Sequence, residues 1–224
     1  VPYVVVCGEH FNHPLVIYRA PKGKYDAINF ARRLIPEDVD MVVFNDVDTR
    51  IRNFHAMLRY FEDERIGLVF ASELVEEGPQ VLFFKIFNPI RKRVPLAASG
   101  ELMMVRRNAL REILPLKPCK AEDTYIMFKA LELGYRVVFC EECYAETVRT
   151  KSVEKEELYK RKTVAGIYQA LSYTKPPWPV KLFYKFLPFF SLLLLILGRK
   201  GYYWMKGIMW GFFDYARGDR SGIW

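Results

Sequence analysis

Met41-Val42-Val43-Phe44-Asn45-Asp46-Val47-Asp48-Thr49-Arg50 constrains this chain more than any other stretch. Four apolar residues run straight into two carboxylates one residue apart, the pattern of a buried strand that ends in a charged loop. In an open α/β sheet the ends of such strands are where ligands bind. Acids at i and i+2 on extended backbone point the same way, so Asp46 and Asp48 can share one hard cation that also grips phosphate oxygens. The bland alternative is a capped turn that leads into a helix.

Charge divides the 224 residues. Val1 to Val148 carries 20 basic and 21 acidic residues, Arg149 to Lys206 carries 12 basic against 3 acidic, and Gly207 to Trp224 balances, so the formal +8 belongs to one segment. That segment contains the uncharged run Phe186 to Leu197. Basic charge beside an apolar run points to a membrane with anionic head groups and away from nucleic acid, whose binders spread charge over a folded face. With Trp178, Lys181, Tyr184 and Lys185 at its edge, the run reaches the lower limit of a transmembrane helix. Tyr202 to Tyr215 fits a second span or an interfacial helix, and a buried hairpin of a soluble domain is the alternative. Residues 1–175 are therefore expected to form one domain and 176–224 a membrane-associated helical region. A chain cut after Pro176 is expected to be soluble. Cys140-x-x-Cys143 has no matching second pair, so the four cysteines read as reduced thiols, and His10 and His13 as loop residues.

Tyr3 to Cys7 and Leu15 to Tyr18 read as two short opening strands. Ala27, Ile28, Phe30, Ala31 and Leu34 have helical spacing before Pro36, so strand, helix and the strand Met41 to Phe44 imply a parallel pair with a crossover. Asn53 is placed to cap a helix from Phe54 to Phe61. Ile66 to Ala71 and Leu102 to Val105 read as strands, and Val81 to Ile90 as a helix that is either buried or against lipid. Asn108 to Leu114 reads as a short helix, Glu122 to Leu133 as an amphipathic helix closed by Gly134, Arg136 to Cys140 as a strand and Val153 to Ser172 as a helix.

Four features stand in order: Gly23-Lys24 with Asn29, Asp46-Val47-Asp48, Ser99-Gly100 before Arg106-Arg107, and Glu122-Asp123 with Gly134-Tyr135 beyond. In this combination, from about Val4 to Ala170, the chain resembles the family 2 inverting glycosyltransferases. The resemblance implies the GT-A fold, an α/β, Rossmann-like mixed and mostly parallel sheet flanked by helices. It implies a nucleotide diphosphate sugar as donor, with Lys24, Asn29, Asp46, Asp48, Gly100 and Glu122 around it. By the same resemblance Asp46 and Asp48 would hold a divalent cation, Mn²⁺ or Mg²⁺, and Asp123 would be the catalytic base. The helix start is expected to keep Asp123 ionised, and Glu122, about 100° round the helix, to point elsewhere.

Where the family has a strand, a helix and a second strand, only one strand, Tyr3 to Cys7, precedes Leu15, so the resemblance implies either an absent amino-terminal part or a trimmed member. The Gln-x-x-Arg-Trp element of processive synthases would fall on Tyr159-Lys160-Arg161-Lys162-Thr163, where only basic character remains. The function implied is transfer of a sugar to a lipid-linked or membrane-proximal acceptor hydroxyl, at the cell membrane with the catalytic domain on the cytoplasmic side. The alternatives are a sugar nucleotidyltransferase, which attacks phosphorus, and a non-catalytic membrane-binding scaffold of the same fold.

Overall fold

The computed structural model describes residues 3–219. The opening strands β1 (Val5–Cys7) and β2 (Val16–Tyr18) pair in parallel as a separate two-stranded sheet, and His10 of the loop between them stacks on Tyr18 at 3.7 Å. Gly23, at φ 102°, turns the chain into α1 (Lys24–Ala31). The main sheet has the order β3-β6-β5-β7-β4, built from β3 (Met41–Asn45), β4 (Arg50–Arg52), β5 (Ile66–Leu74), β6 (Leu102–Arg106) and β7 (Arg136–Glu146). Within it only β5 and β7 run parallel; β3 with β6, β6 with β5 and β7 with β4 are antiparallel. The sheet is mixed, as expected, but the expected parallel majority is corrected: one of its four pairings is parallel. The crossover pair expected of β2 and β3 does not form: β2 pairs with β1 in the separate sheet, and β3 pairs with β6 from Met41 opposite Arg106 to Asn45 opposite Leu102.

The central β5 is apolar on both faces because both are covered. Leu68 and Phe70 face one core with Met103, Val105 and Phe139. Val69 and Ala71 face a smaller one with Met104, Cys140 and Cys143. The smaller face is closed by a 3₁₀ segment, Phe54–Glu62, where an α-helix was expected. Asn53 does not cap it; its backbone is left-handed (φ 56°) and its amide donates to the Glu142 carbonyl at 2.9 Å. The larger face carries α3 (Arg107–Ile113), α4 (Glu122–Glu132) and α5 (Val153–Tyr173), so the helices crowd one side of the sheet. Between β5 and β6 lies α2 (Gln80–Arg93), with phenylalanines at 83, 84 and 87.

The carboxyl-terminal stretch Trp178–Ala216 is long and apolar enough, by length and composition, to cross a membrane. It is divided into α6 (Trp178–Ser191), a 3₁₀ segment (Leu192–Leu197) and α7 (Gly198–Ala216). Gly198, at φ 61°, is the break. α7 then packs on α5 so closely that a Cβ on Gly207 would lie 2.6 Å from the Glu157 carbonyl oxygen, and one on Gly211 2.5 Å from that of Arg161. Arg161 holds Asp214 through two hydrogen bonds of 2.5 and 2.7 Å. Val180, Tyr184 and Ile208 enter the main core and Trp204 is buried against Phe83, so a cut after Pro176 would remove buried side chains.

Candidate active site

The antiparallel pairing of β3 and β6 sets the end of one strand beside the start of the other. The Asp46 N–H donates to the Glu101 carbonyl at 3.2 Å, which fixes Gly100 next to the acidic loop. Across from it, Ala121 leads into α4 and presents Glu122 and Asp123. Gly100 lets them close in: a Cβ there would sit 2.9 Å from Asp123 Oδ2. Lys24, on the first turn of α1, donates to Asp46 Oδ1 at 2.6 Å and lies 3.8 Å from Glu122 Oε1. These five residues line one cavity of about 500 Å³.

Two sequence-predicted residues stand outside that lining. Asn29 spends its amide on the backbone of Leu116, donating to the carbonyl at 2.9 Å and accepting from the N–H at 2.7 Å, which pins α1 to the loop before α4. Asp48 is exposed in a turn closed by the Thr49 N–H on the Asp46 carbonyl at 3.1 Å. The backbone after Asn45 is therefore not extended, and the argument that Asp46 and Asp48 share a direction by strand alternation is corrected. No group of three potential ligands among His, Cys, Asp and Glu occurs among the described residues. Asp46 and Asp48 together fit only a cation that brings other oxygens with it, as a diphosphate does.

The electrostatics also differ from expectation. Burial pushes the Asp123 carboxyl up from its ordinary range, against the Thr124 N–H that it accepts at 2.6 Å and against Lys24. Desolvation outweighs the helix end, so the expected lowering is reversed. Glu122 does not point away: both acids line the cavity, and burial followed by the charge of Asp123 pushes Glu122 up to about 8. Burial would lower Lys24, but Glu122 and Asp46 outweigh it and hold the ammonium above its usual value. Between pH 4.5 and about 8 the folded protein keeps a proton on Glu122 that the unfolded chain has released, so stability present at low pH is lost as pH rises through that window. Glu122→Gln is expected to melt on the order of 3 °C or more above the parent at pH 8 and close to it at pH 5, read from thermal melts across pH. An unchanged difference at the two pH values would contradict the assignment.

Sequence reasoning missed the deeper wall. Glu73, Arg91, Arg149, Tyr159 and Lys160 also line the cavity. Arg91 pairs with Glu73 at 2.5 Å, donates to the Ala97 carbonyl at 3.1 Å and lies over the Phe70 and Phe139 rings. Arg149 pairs with Glu101, which also accepts from Ser99 Oγ at 2.9 Å. The signal for Lys160 was present in Tyr159 to Thr163, legible only as basic character because solvated and buried lysines look alike in sequence. Cys140 and Cys143 are free, buried thiols away from this cavity.

No family model matches the sequence, and neither does any curated protein. Among solved structures the chain is similar to the mannosyltransferase PcManGT from Pyrobaculum calidifontis in complex with GDP-Man and Mn²⁺, at 16% identity with a TM-score of 0.58. The match covers 92% of this chain and 59% of that one, so the chain spans somewhat over half of that structure's length. At this identity the likeness concerns the fold: a mixed α/β fold like that of a glycosyltransferase.

Proposed function

We propose that the chain is a membrane-attached inverting glycosyltransferase of the GT-A, family 2 type, which moves a hexose from a nucleotide diphosphate sugar to a hydroxyl of a lipid-linked or membrane-proximal acceptor. The observation that carries this reading is the meeting of Asp123, Glu122, Lys24, Asp46 and Gly100 in one cavity. An acceptor oxygen attacks the anomeric carbon as the bond from that carbon to the diphosphate oxygen breaks, and the hydroxyl proton passes to Asp123. Lys24 steadies the negative charge of the leaving diphosphate. Asp46 and Asp48 would hold the divalent cation that arrives with the donor and neutralises the same charge. The likeness to a fold seen with GDP-Man and Mn²⁺ supports a nucleotide sugar and a divalent cation here.

Membrane attachment is supported by the outward face of α6 and the segment after it. Trp178, Phe189, Leu193 and Ile196 are largely exposed, with Lys181, Lys185, Arg199 and Lys200 exposed beside them. The opposite face of α6 and much of α7 pack on the protein, so the hairpin is read as lying in the interface, on the cytoplasmic side in keeping with the free thiols.

A screen of nucleotide sugars with and without Mn²⁺ on anionic liposomes tests the whole reading. One donor is expected to raise the melting temperature only with the cation, and turnover to release nucleoside diphosphate. Release of pyrophosphate would favour a nucleotidyltransferase, and absence of donor binding a scaffold. Phe189→Asp with Leu193→Asp is expected to abolish flotation with the liposomes; retained flotation would remove the attachment face.

A further inference from the structure

The deep end of the cavity holds more donors than its acceptors use. Arg91 Nη2, Arg149 Nε and Trp204 Nε1 are buried with no hydrogen-bond partner among the described residues, and all three residues line the cavity. Lys160 is 6% exposed, takes part in no ion pair among the described residues, and rests its ammonium 3.2 Å from the centre of the Phe83 ring. The acids that face this cluster are Glu73, already paired with Arg91, Glu101, already paired with Arg149, and Glu156 behind Lys160, whose Oε1 is taken by Gln80 at 2.6 Å while its Oε2 has no partner among the described residues. Buried donors without partners carry a desolvation cost that a bound anion removes.

From this cluster the cavity runs outward between apolar walls, Phe83 and Phe87 of α2 on one side and Phe183, Leu187, Phe190 and Leu194 on the other. Its mouth is marked by Ile86, Ile90 and Phe190, exposed by 45%, 41% and 47%. Phe190 is shared with the exposed apolar face of α6, so the trough opens beside the surface read as meeting the membrane. At about 500 Å³ in all, the space suits one hydrocarbon chain and a compact head.

We propose that this trough binds a single-chain amphiphile with a phosphate or diphosphate head, the head held by Lys160, Arg149 and Arg91 and the chain lying between α2 and α6. That the ligand is the sugar acceptor, with its hydroxyl toward Asp123, rests on the glycosyltransferase reading; that the trough takes an anionic amphiphile does not.

Calorimetry on the full chain with decyl phosphate, 1-decanol and inorganic phosphate tests it. Decyl phosphate is expected to bind at least about tenfold more tightly than either of the others, because only it fills both ends. Lys160→Gln is expected to remove most of the advantage over decanol. Ile86→Glu, a surface change at the mouth, is expected to weaken decyl phosphate by about tenfold through like-charge repulsion, and it decides the matter if Lys160→Gln does not fold. Decyl phosphate binding no more tightly than decanol, or as tightly to folded Ile86→Glu as to the parent, would overturn the proposal. Nucleotide sugar binding with Mn²⁺, measured on the same samples, is expected to survive Ile86→Glu. Its absence in a protein that binds decyl phosphate would remove the glycosyltransferase reading and leave the amphiphile site standing.

Discussion

Asp123→Asn is expected to lower turnover by roughly 10²-fold or more while leaving nucleotide sugar affinity within about twofold of the parent. The substitution keeps the shape and the bond from the Thr124 N–H but removes the only form able to take the acceptor's proton. Its neighbours permit so selective a loss: Ile126, Met127 and Ala130 bury the side of α4 that meets the core, and Gly100 leaves room for the carboxylate. Burial raises the carboxyl's pKa, so the parental rate is expected to increase with pH as the group ionises, and this limb should vanish in the asparagine variant. Single-turnover assays with donor titration separate the two effects. Near-parental transfer by Asp123→Asn, or loss of donor binding along with transfer, would show that another group is the base.

A chain ending at Pro176 is expected to lose its cooperative thermal transition. It would lack Tyr184 and Trp204, both fully buried, together with Val180 and Ile208. It would also lose the Tyr184 hydroxyl bond to the Leu96 carbonyl at 2.6 Å and the acceptor of Tyr168, the Tyr184 carbonyl at 2.7 Å. Removing one large buried aromatic side chain costs about 3–5 kcal/mol. Two exceed the lower part of the roughly 5–15 kcal/mol that holds a domain folded. Calorimetry and near-ultraviolet circular dichroism read the outcome, and a sharp transition within a few degrees of the full chain would mean that α6 and α7 are an independent appendage. Trp204→Ala in the full chain is the milder form, expected to cost about 3–5 kcal/mol in denaturant unfolding.

What the sequence determined by itself is local. The strand running into Asp46, the helix beginning at Glu122, the long helix from Val153 and the apolar segment after Pro176 each follow from neighbouring residues: runs of β-branched side chains, helical spacing, proline and glycine at the ends. The candidate residues Lys24, Asp46, Gly100, Glu122 and Asp123 were legible for the same reason, as short motifs in a particular order. Tertiary structure decided what depends on distant partners. β6, antiparallel to both β3 and β5, left the sheet without the expected parallel majority, since strand order is a choice among edges that no local pattern records. The turn after Asp46 removed the strand alternation assumed for the two aspartates, and burial raised the Asp123 carboxyl where a lowering was expected, because desolvation is set by everything packed around a group. Asn29 was drawn to the backbone of Leu116, 87 residues away. The same long-range packing folded a segment that reads as a membrane span back onto α5, and brought Arg91, Arg149 and Lys160 from three separate stretches of chain to one cavity wall, where burial turns unremarkable basic residues into a site.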